Sequence, residues 1–204
     1  MQVEDTKSKV VSHSIWLIPP PPHSTQISKL IEKLAHLNDS PTFTPHVTVV
    51  GNLKILDGEE TTILEELKSA FIRFDRGGIP CTFNRSRGFV TMYNLNNQIV
   101  WNQACVGVVE RNENLLKAVE LTKKCLLESK HVIGSVEKSQ PTADFSPPLK
   151  EPHLSFIYKE SAINFLDEME LPEDFVSTQM VLVRTDPCSF EHISSWKVVG
   201  SINF

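Results

Sequence analysis

The feature that most constrains the fold is a short phrase that occurs twice in the chain. Residues Pro45–Val49 read Pro-His-Val-Thr-Val, and residues Pro152–Phe156 read Pro-His-Leu-Ser-Phe. Successive side chains of a β-strand point to opposite faces, so in each phrase the imidazole and the hydroxyl share one face and the apolar residues share the other. The phrases therefore predict two strands that each bury one face and present a histidine–hydroxyl pair on the opposite face.

The rest of the chain alternates between helical periodicity and strand-like composition, which predicts an α+β fold. Apolar residues three and four apart predict helices over 27–37, with Ser24 or Thr25 as the cap, over 57–74, over 115–127 and, shorter, over 161–171. The predicted strands are His13–Ile18, His46–Val50, Cys81–Tyr93, Ile99–Val109, His153–Tyr158, Val176–Arg184 and Trp196–Asn203. Turn residues Asn94–Asn97 favour an antiparallel hairpin between the third and fourth of these strands. Residues 1–10 are expected to form a flexible tail and 129–150 a long loop within a single domain.

Charge and composition narrow the class of ligand. The chain has 204 residues with 20 basic and 25 acidic side chains, a net charge of −5, whereas proteins that bind long nucleic acid usually carry a basic face. A small anionic ligand needs only a local cluster of donors. No apolar run is long enough for a membrane span or a signal peptide, so we expect an intracellular, cytoplasmic protein. We also expect a monomer. The four cysteines lack metal-site spacing and are expected to be reduced thiols.

The chemistry that the two phrases offer is general acid–base catalysis on a phosphate. Four of the seven histidines precede a hydroxyl residue by two positions, but His23 lies in a proline-rich turn and His192 outside any alternating strand. His46 and His153 alone have a strand context, so one imidazole could take a proton from water while the other protonates a leaving oxygen. Thr48 and Ser155 could bind the non-bridging phosphate oxygens, and neither a metal nor a cofactor is then required. The competing interpretation is that both histidines are merely hydrogen-bonded on strand surfaces.

The paired phrases resemble those of the two-histidine (2H) phosphoesterase superfamily, closest to the yeast-type 2',3'-cyclic-nucleotide 3'-phosphodiesterases. The stretches that carry the likeness are Ser14–Pro19, Thr44–Val49 with Asn52–Lys54, Pro152–Tyr158 and Trp196–Ser201. The resemblance implies a bilobal fold with pseudo-twofold symmetry, two small antiparallel sheets with helices outside and a site in the cleft between lobes. It implies hydrolysis of 2',3'-cyclic nucleotides to 2'-phosphates and of ADP-ribose 1'',2''-cyclic phosphate from tRNA splicing, with His46 as acid and His153 as base.

The resemblance also implies substrate contacts and leaves alternatives open. It places Trp16 and Tyr158 at the substrate, where an aromatic face could stack on a base or cover a ribose, although both could equally be core residues. Lys54 and Lys159 could add positive potential near the phosphate or be solvated surface. An RNA-end-processing or 2'-5' RNA ligase-like enzyme is the alternative activity. A non-catalytic nucleotide-binding module is the alternative of a different class.

Overall fold

Nine strands and three α-helices were found in a computed structural model of the chain, which describes residues 9–74, 77–92, 102–133, 151–159, 163 and 169–204. A short 3₁₀ helix over Phe190–Ser195 precedes the last strand. The helices are α1 (His23–Asn38), α2 (Glu60–Phe71) and α3 (Glu113–Glu128). The strands are β1 (Val10–Leu17), β2 (Val47–Leu56), β3 (Ile79–Cys81), β4 (Phe89–Met92), β5 (Asn102–Val108), β6 (His153–Lys159), β7 (Phe175–Ser177), β8 (Gln179–Arg184) and β9 (Lys197–Asn203).

The strands form a large antiparallel sheet and a small second sheet. The large sheet has the order β4-β5-β6-β2-β1-β8-β9, and β3 pairs with β7. Within the part of the chain that the structure describes, its two halves, β4-β5-β6 and β2-β1-β8-β9, are joined where β2 meets β6, at the pair Val47 and Leu154. The helices pack outside, with α1 against β6 and with α3 against β2 and α2. The predicted α+β fold with antiparallel sheets is thus confirmed, with the junction of the halves at the two histidine strands.

The apolar face of the sheet and the inner faces of the helices build the main core. Ile27, Ile31 and Leu34 of α1 recur at helical spacing and are buried, as the periodicity predicts. They belong to the same apolar cluster as Val47 and Leu154. The residues between the two motif histidines and their hydroxyls are therefore core residues, which fixes the register of the polar face.

The predicted cap of α1 is wrong. The helix begins at His23 with Pro22 at the cap position and no capping side chain, so Ser24 lies inside the first turn. The amide of Ser24 donates to the carbonyl of Pro20, and the amide of Gln26 donates to that of Pro22. Prolines fit these leading positions because their missing N–H has no partner to lose at a helix N-terminus.

Two predicted strands are each divided in the structure. The stretch Cys81–Tyr93 contains the end of β3 and, after a turn over Asn84–Gly88, strand β4. The turn needs the positive φ of +58° at Gly88, which interrupts the strand. Likewise Val176–Arg184 is divided at Thr178 between β7 and β8, which join different sheets.

Several predictions fall wholly or partly outside the described residues. They are the turn at Asn94–Asn97, most of the 129–150 loop, most of the 161–171 helix and most of the 1–10 tail. The hairpin itself is confirmed, since β4 pairs antiparallel with β5. All four cysteines are free thiols, with Cys81 and Cys105 buried and Cys188 exposed. Among the residues that the structure describes, no helix combines the length and apolar character needed to cross a membrane.

Candidate active site

The junction between β2 and β6 brings the two histidine phrases together. Val47 lies opposite Leu154 in an antiparallel pair. One residue further in each direction, this register sets His46 across from Ser155 and Thr48 across from His153. The local twofold axis of the pair therefore relates one histidine–hydroxyl pair to the other.

All four polar residues lie on the face of the sheet opposite the main core, which we call the cleft face. Side-chain alternation turns them away from the buried Val47 and Leu154. Only 4% of His46 and 6% of His153 is exposed to solvent. The imidazoles are close enough that His153 is one of the causes that lower the pKa of His46. The structure thus places both histidines close together on one face of the sheet rather than on opposite surfaces.

Each histidine is oriented by the same backbone hydrogen bond. Nδ1 of His46 donates to the carbonyl of Thr44 at 2.7 Å, and Nδ1 of His153 donates to that of Glu151 at 3.0 Å. A carbonyl oxygen can only accept, so Nδ1 carries a proton in both rings. This leaves Nε2 of each ring available to exchange a proton with a bound molecule.

The two imidazoles differ in their electrostatic surroundings. Burial lowers the pKa of His46 from 6.5 to about 4, against the opposing effect of its hydrogen bond to Thr44. Burial also lowers the pKa of His153, but the hydrogen bond to the Glu151 carbonyl and the Glu151 carboxylate both act to raise it. His46 has no such acidic neighbour among the causes of its shift, so the two imidazoles differ in the charges that face them.

Trp16 covers His46. It lies opposite Thr48 on β1, and its ring stacks on the His46 imidazole with centroids 3.7 Å apart and planes 10° apart. Trp16 belongs to a small apolar cluster separate from the main core, with Val181, Val183 and the partly buried Trp196. The structure thus places Trp16 on the cleft face, with one side of its indole already occupied by the histidine.

Tyr158 also reaches the cleft, because β6 contains a bulge. Ser155 pairs with Val106 and Ile157 with Cys105, so Phe156 is an extra residue on β6 and both Phe156 and Ile157 are in the main core. The bulge shifts the alternation of side chains between the two faces by one residue, so that Tyr158 lies on the same face of the sheet as Ser155. Burial raises the pKa of Tyr158, while hydrogen bonds from Ser155 and Gln103 oppose this rise.

The ring of Tyr158 is held by residues that the sequence analysis did not single out. Phe43 lies 4.5 Å from it between centroids, and Ile193 of the 3₁₀ helix packs against it. The helix is tied to the loop before β2 by a hydrogen bond from Ser194 Oγ to the carbonyl of Thr42. No sequence pattern marks these contacts, since they join segments far apart in the chain.

The remaining candidates lie elsewhere. Nζ of Lys159 donates to the carbonyl of Asn38 at 2.7 Å, so this ammonium binds the end of α1. Lys54 lies on β2 opposite Ser12, six residues beyond Thr48. His23 begins α1, and His192 is within hydrogen-bonding distance of Ser189 in the 3₁₀ helix, so neither joins the paired strands. Over the described ranges, no group of three or more His, Cys, Asp or Glu side chains could hold a metal ion.

The antiparallel halves and their junction at two His-x-Thr/Ser strands, which present both pairs on one face, define the architecture of a two-histidine phosphoesterase. A family model described as cyclic phosphodiesterase-like protein matches residues 11–204. The chain belongs to this family, within the 2H phosphoesterase superfamily, as the resemblance of its motifs predicted.

Solved structures with the same fold are distant in sequence. E. coli LigT complexed with 3'-AMP is 11% identical, with a TM-score of 0.55 over 96% of this chain and 99% of LigT. TT0787 of Thermus thermophilus is 14% identical, with a TM-score of 0.54 over 94% and 97%. Usb1 of Kluyveromyces marxianus is 10% identical, with a TM-score of 0.52 over 97% and 99%. No curated protein sequence matches the chain.

Proposed function

We propose that the protein hydrolyses 2',3'-cyclic nucleotides to nucleoside 2'-phosphates and opens the 1'',2''-cyclic phosphate of ADP-ribose, without a metal ion. The observation that carries the proposal is the symmetric meeting of His46/Thr48 and His153/Ser155 across the β2–β6 junction. A cyclic phosphate needs a base on one side of the phosphorus and an acid on the other, and two imidazoles related by a local twofold axis supply both.

In the proposed reaction a water oxygen bonds to phosphorus as the P–O3' bond breaks. One imidazole takes the water proton at Nε2, and the other gives a proton to the leaving O3', so the two protonation states exchange in each turnover. The hydroxyls of Thr48 and Ser155 donate to the non-bridging oxygens as charge grows on them. Trp16 and Tyr158 would contact the nucleoside or the ribose at the edge of the cleft.

We assign the base to His46 and the acid to His153, the reverse of the assignment that the resemblance implies. The buried His46 is neutral near pH 7 because its pKa is about 4. The Glu151 carboxylate favours the protonated form of His153, and Arg87 holds that carboxylate at 2.6 Å. The anionic substrate favours protonation of whichever imidazole is the acid, and at His153 the Glu151 carboxylate acts in the same direction.

The test is a product assay on the four 2',3'-cyclic nucleotides and on the ADP-ribose cyclic phosphate. His46→Ala and His153→Ala should each lower turnover by roughly 10²-fold or more while the circular dichroism stays native. His192→Ala is the matched control, because it removes a histidine with the same spacing to a hydroxyl but outside the paired strands. Undiminished activity in either motif variant would contradict the proposal, as would strong inhibition by EDTA.

Two further substrates separate the alternatives. Faster turnover of a short RNA with a 2',3'-cyclic phosphate end than of mononucleotides would favour an RNA-end-processing enzyme. Catechol cyclic phosphate has a phenolate leaving group that needs little protonation, so loss of the acid should cost less on it than on a cyclic nucleotide. The loss of activity in His153→Ala should therefore be smaller on catechol cyclic phosphate than on a cyclic nucleotide, and this difference should be greater than the one in His46→Ala. The opposite order would reverse the assignment of acid and base.

A further inference from the structure

His46 is the last residue of the loop between α1 and β2, whereas His153 lies within a strand. His153 is the first residue of β6 and pairs with Val108 of β5. The strand pairs of β2 begin one residue after His46, at Val47, with β1 on one side and β6 on the other. The position of the His46 ring therefore depends on how residues 39–46, which we call the α1–β2 loop, are held.

Two short hydrogen bonds fasten the end of α1 and the start of this loop to the end of β6. Ser40 Oγ donates to the backbone carbonyl of Tyr158 at 2.7 Å. Nζ of Lys159 donates to the carbonyl of Asn38, the last residue of α1, also at 2.7 Å. Each segment thus gives one donor to the other, and the bond from the charged Lys159 is of the stronger, charge-assisted kind.

The middle of the loop contacts both halves of the site. The Phe43 ring lies 4.5 Å from the ring of Tyr158 and 6.3 Å from the His46 imidazole between centroids, and it meets the imidazole edge-on, with 72° between the planes. The next residue, Thr44, supplies the carbonyl that accepts from Nδ1 of His46 at 2.7 Å. The loop therefore holds the imidazole through a ring contact and a hydrogen bond, and leaves its Nε2 as the proton acceptor.

We propose that Ser40 and Lys159 are positioning residues, which act through the α1–β2 loop to keep the His46 imidazole in the orientation and tautomer that leave Nε2 available to the substrate. Neither side chain needs to touch the phosphate. Placement of this kind matters for the rate, since a misplacement of about 1 Å can cost roughly 10²-fold. The kinetic consequence rests on the proposed function, whereas the tautomer of His46 does not.

His153 provides an internal control. Its Nδ1 donates to the carbonyl of Glu151, which precedes β6, and Lys159 lies at the opposite end of that strand. Loss of either anchor of the α1–β2 loop should therefore change the tautomer of His46 and leave that of His153 as it is. A general loosening of the fold would instead affect both rings.

Steady-state kinetics test the effect on the reaction. Ser40→Ala and Lys159→Met should each lower kcat by about threefold to tenfold with KM changed less than twofold, because the loop orients the base without binding the substrate. Ser40→Thr and Lys159→Arg keep a donor and should keep roughly wild-type kcat. Ser69→Ala is the matched control, because it removes a serine hydroxyl that donates to a backbone carbonyl on α2 at 2.9 Å, and it should also keep wild-type kcat. A wild-type kcat in either Ser40→Ala or Lys159→Met would overturn the proposal, as would equal losses in the variants that keep a donor.

A measurement without substrate separates this inference from the proposed function. Correlations between ¹⁵N and ¹H in the labelled imidazoles, recorded at a pH where both rings are neutral, show which ring nitrogen carries the proton, and His46→Asn assigns the signals. Ser40→Ala and Lys159→Met should convert the single Nδ1–H tautomer of His46 into a mixture of the two neutral tautomers. An unchanged His46 tautomer refutes the positioning role, whatever the kcat. A changed tautomer in a protein that hydrolyses none of the cyclic phosphates refutes the proposed function and leaves the positioning of His46.

Discussion

Acid should destabilise the folded protein through His46. Its pKa is about 4 in the fold and 6.5 in an unfolded chain. Above pH 6.5 both forms are neutral at this ring, and below pH 6.5 the unfolded chain takes up a proton that the folded protein does not. The free energy of unfolding therefore falls as the pH drops from 6.5 to 4, by roughly 2 kcal/mol at pH 5 from this group alone.

His46→Asn isolates this contribution. The asparagine amide can still donate to the Thr44 carbonyl that now accepts from Nδ1, but it does not titrate. We expect the difference in unfolding free energy between pH 8 and pH 5, measured by urea denaturation, to be roughly 2 kcal/mol smaller in the variant than in the wild type. The comparison of two differences removes the effect of every group that the proteins share.

An equal pH dependence in the two proteins would contradict this prediction. It would mean that His46 takes up a proton in the fold as easily as in the unfolded chain. The assignment of His46 as a base that is neutral at pH 7 would then have no basis.

The stabilisation of the fold by inorganic phosphate gives a second test. An anion between the imidazoles favours the protonated rings, so phosphate should stabilise the wild type more strongly at pH 5 than at pH 8.

Three further predictions concern other residues. Thr48→Val and Ser155→Ala should each lower kcat by about tenfold to a hundredfold in a steady-state assay, because each removes one donor to the phosphate. Gly78→Ala should lower the free energy of unfolding by about 1–3 kcal/mol more than Gly58→Ala, since both sites have a positive φ but a Cβ at the first would lie 2.8 Å from a backbone carbonyl and at the second meets nothing. Trp16→Ala should uncover the stacked imidazole, so the acid limb of the kcat/KM profile should move to higher pH.

The motif strands and the main helices were predictable because they follow local rules. Alternation over His46–Val50 and His153–Tyr158 and helical spacing along α1 each depend on a few consecutive residues. Their meeting on one face of the sheet depends instead on the pairing of Val47 with Leu154, residues that lie far apart in the chain. Strand alternation alone does not predict that meeting, whereas the resemblance to a known family implies it.

Contacts made by irregular segments escaped the sequence analysis for the same physical reason. The 3₁₀ helix carries Ile193 onto Tyr158, yet nothing in residues 190–195 indicates which part of the sheet they cover. Likewise Glu151 influences the pKa of His153 through a carbonyl and a carboxylate that precede the motif. The strength of that influence depends on burial, which a pattern of residue types does not measure.

Strict alternation of side chains would place Tyr158 on the wrong face of the sheet. In a regular strand Tyr158 would face away from His153, since the two are an odd number of positions apart. The readable signal is a pair of consecutive apolar residues after the hydroxyl, Phe156–Ile157 on β6, where alternation requires one. Strand β2 has the same feature: Val49 and Val50 are both in the core, and Ile15 of β1 pairs with Val50. Two consecutive core residues in an otherwise alternating strand therefore indicate a bulge. Beyond the bulge, each polar residue lies on the face opposite to the one that strict alternation would predict.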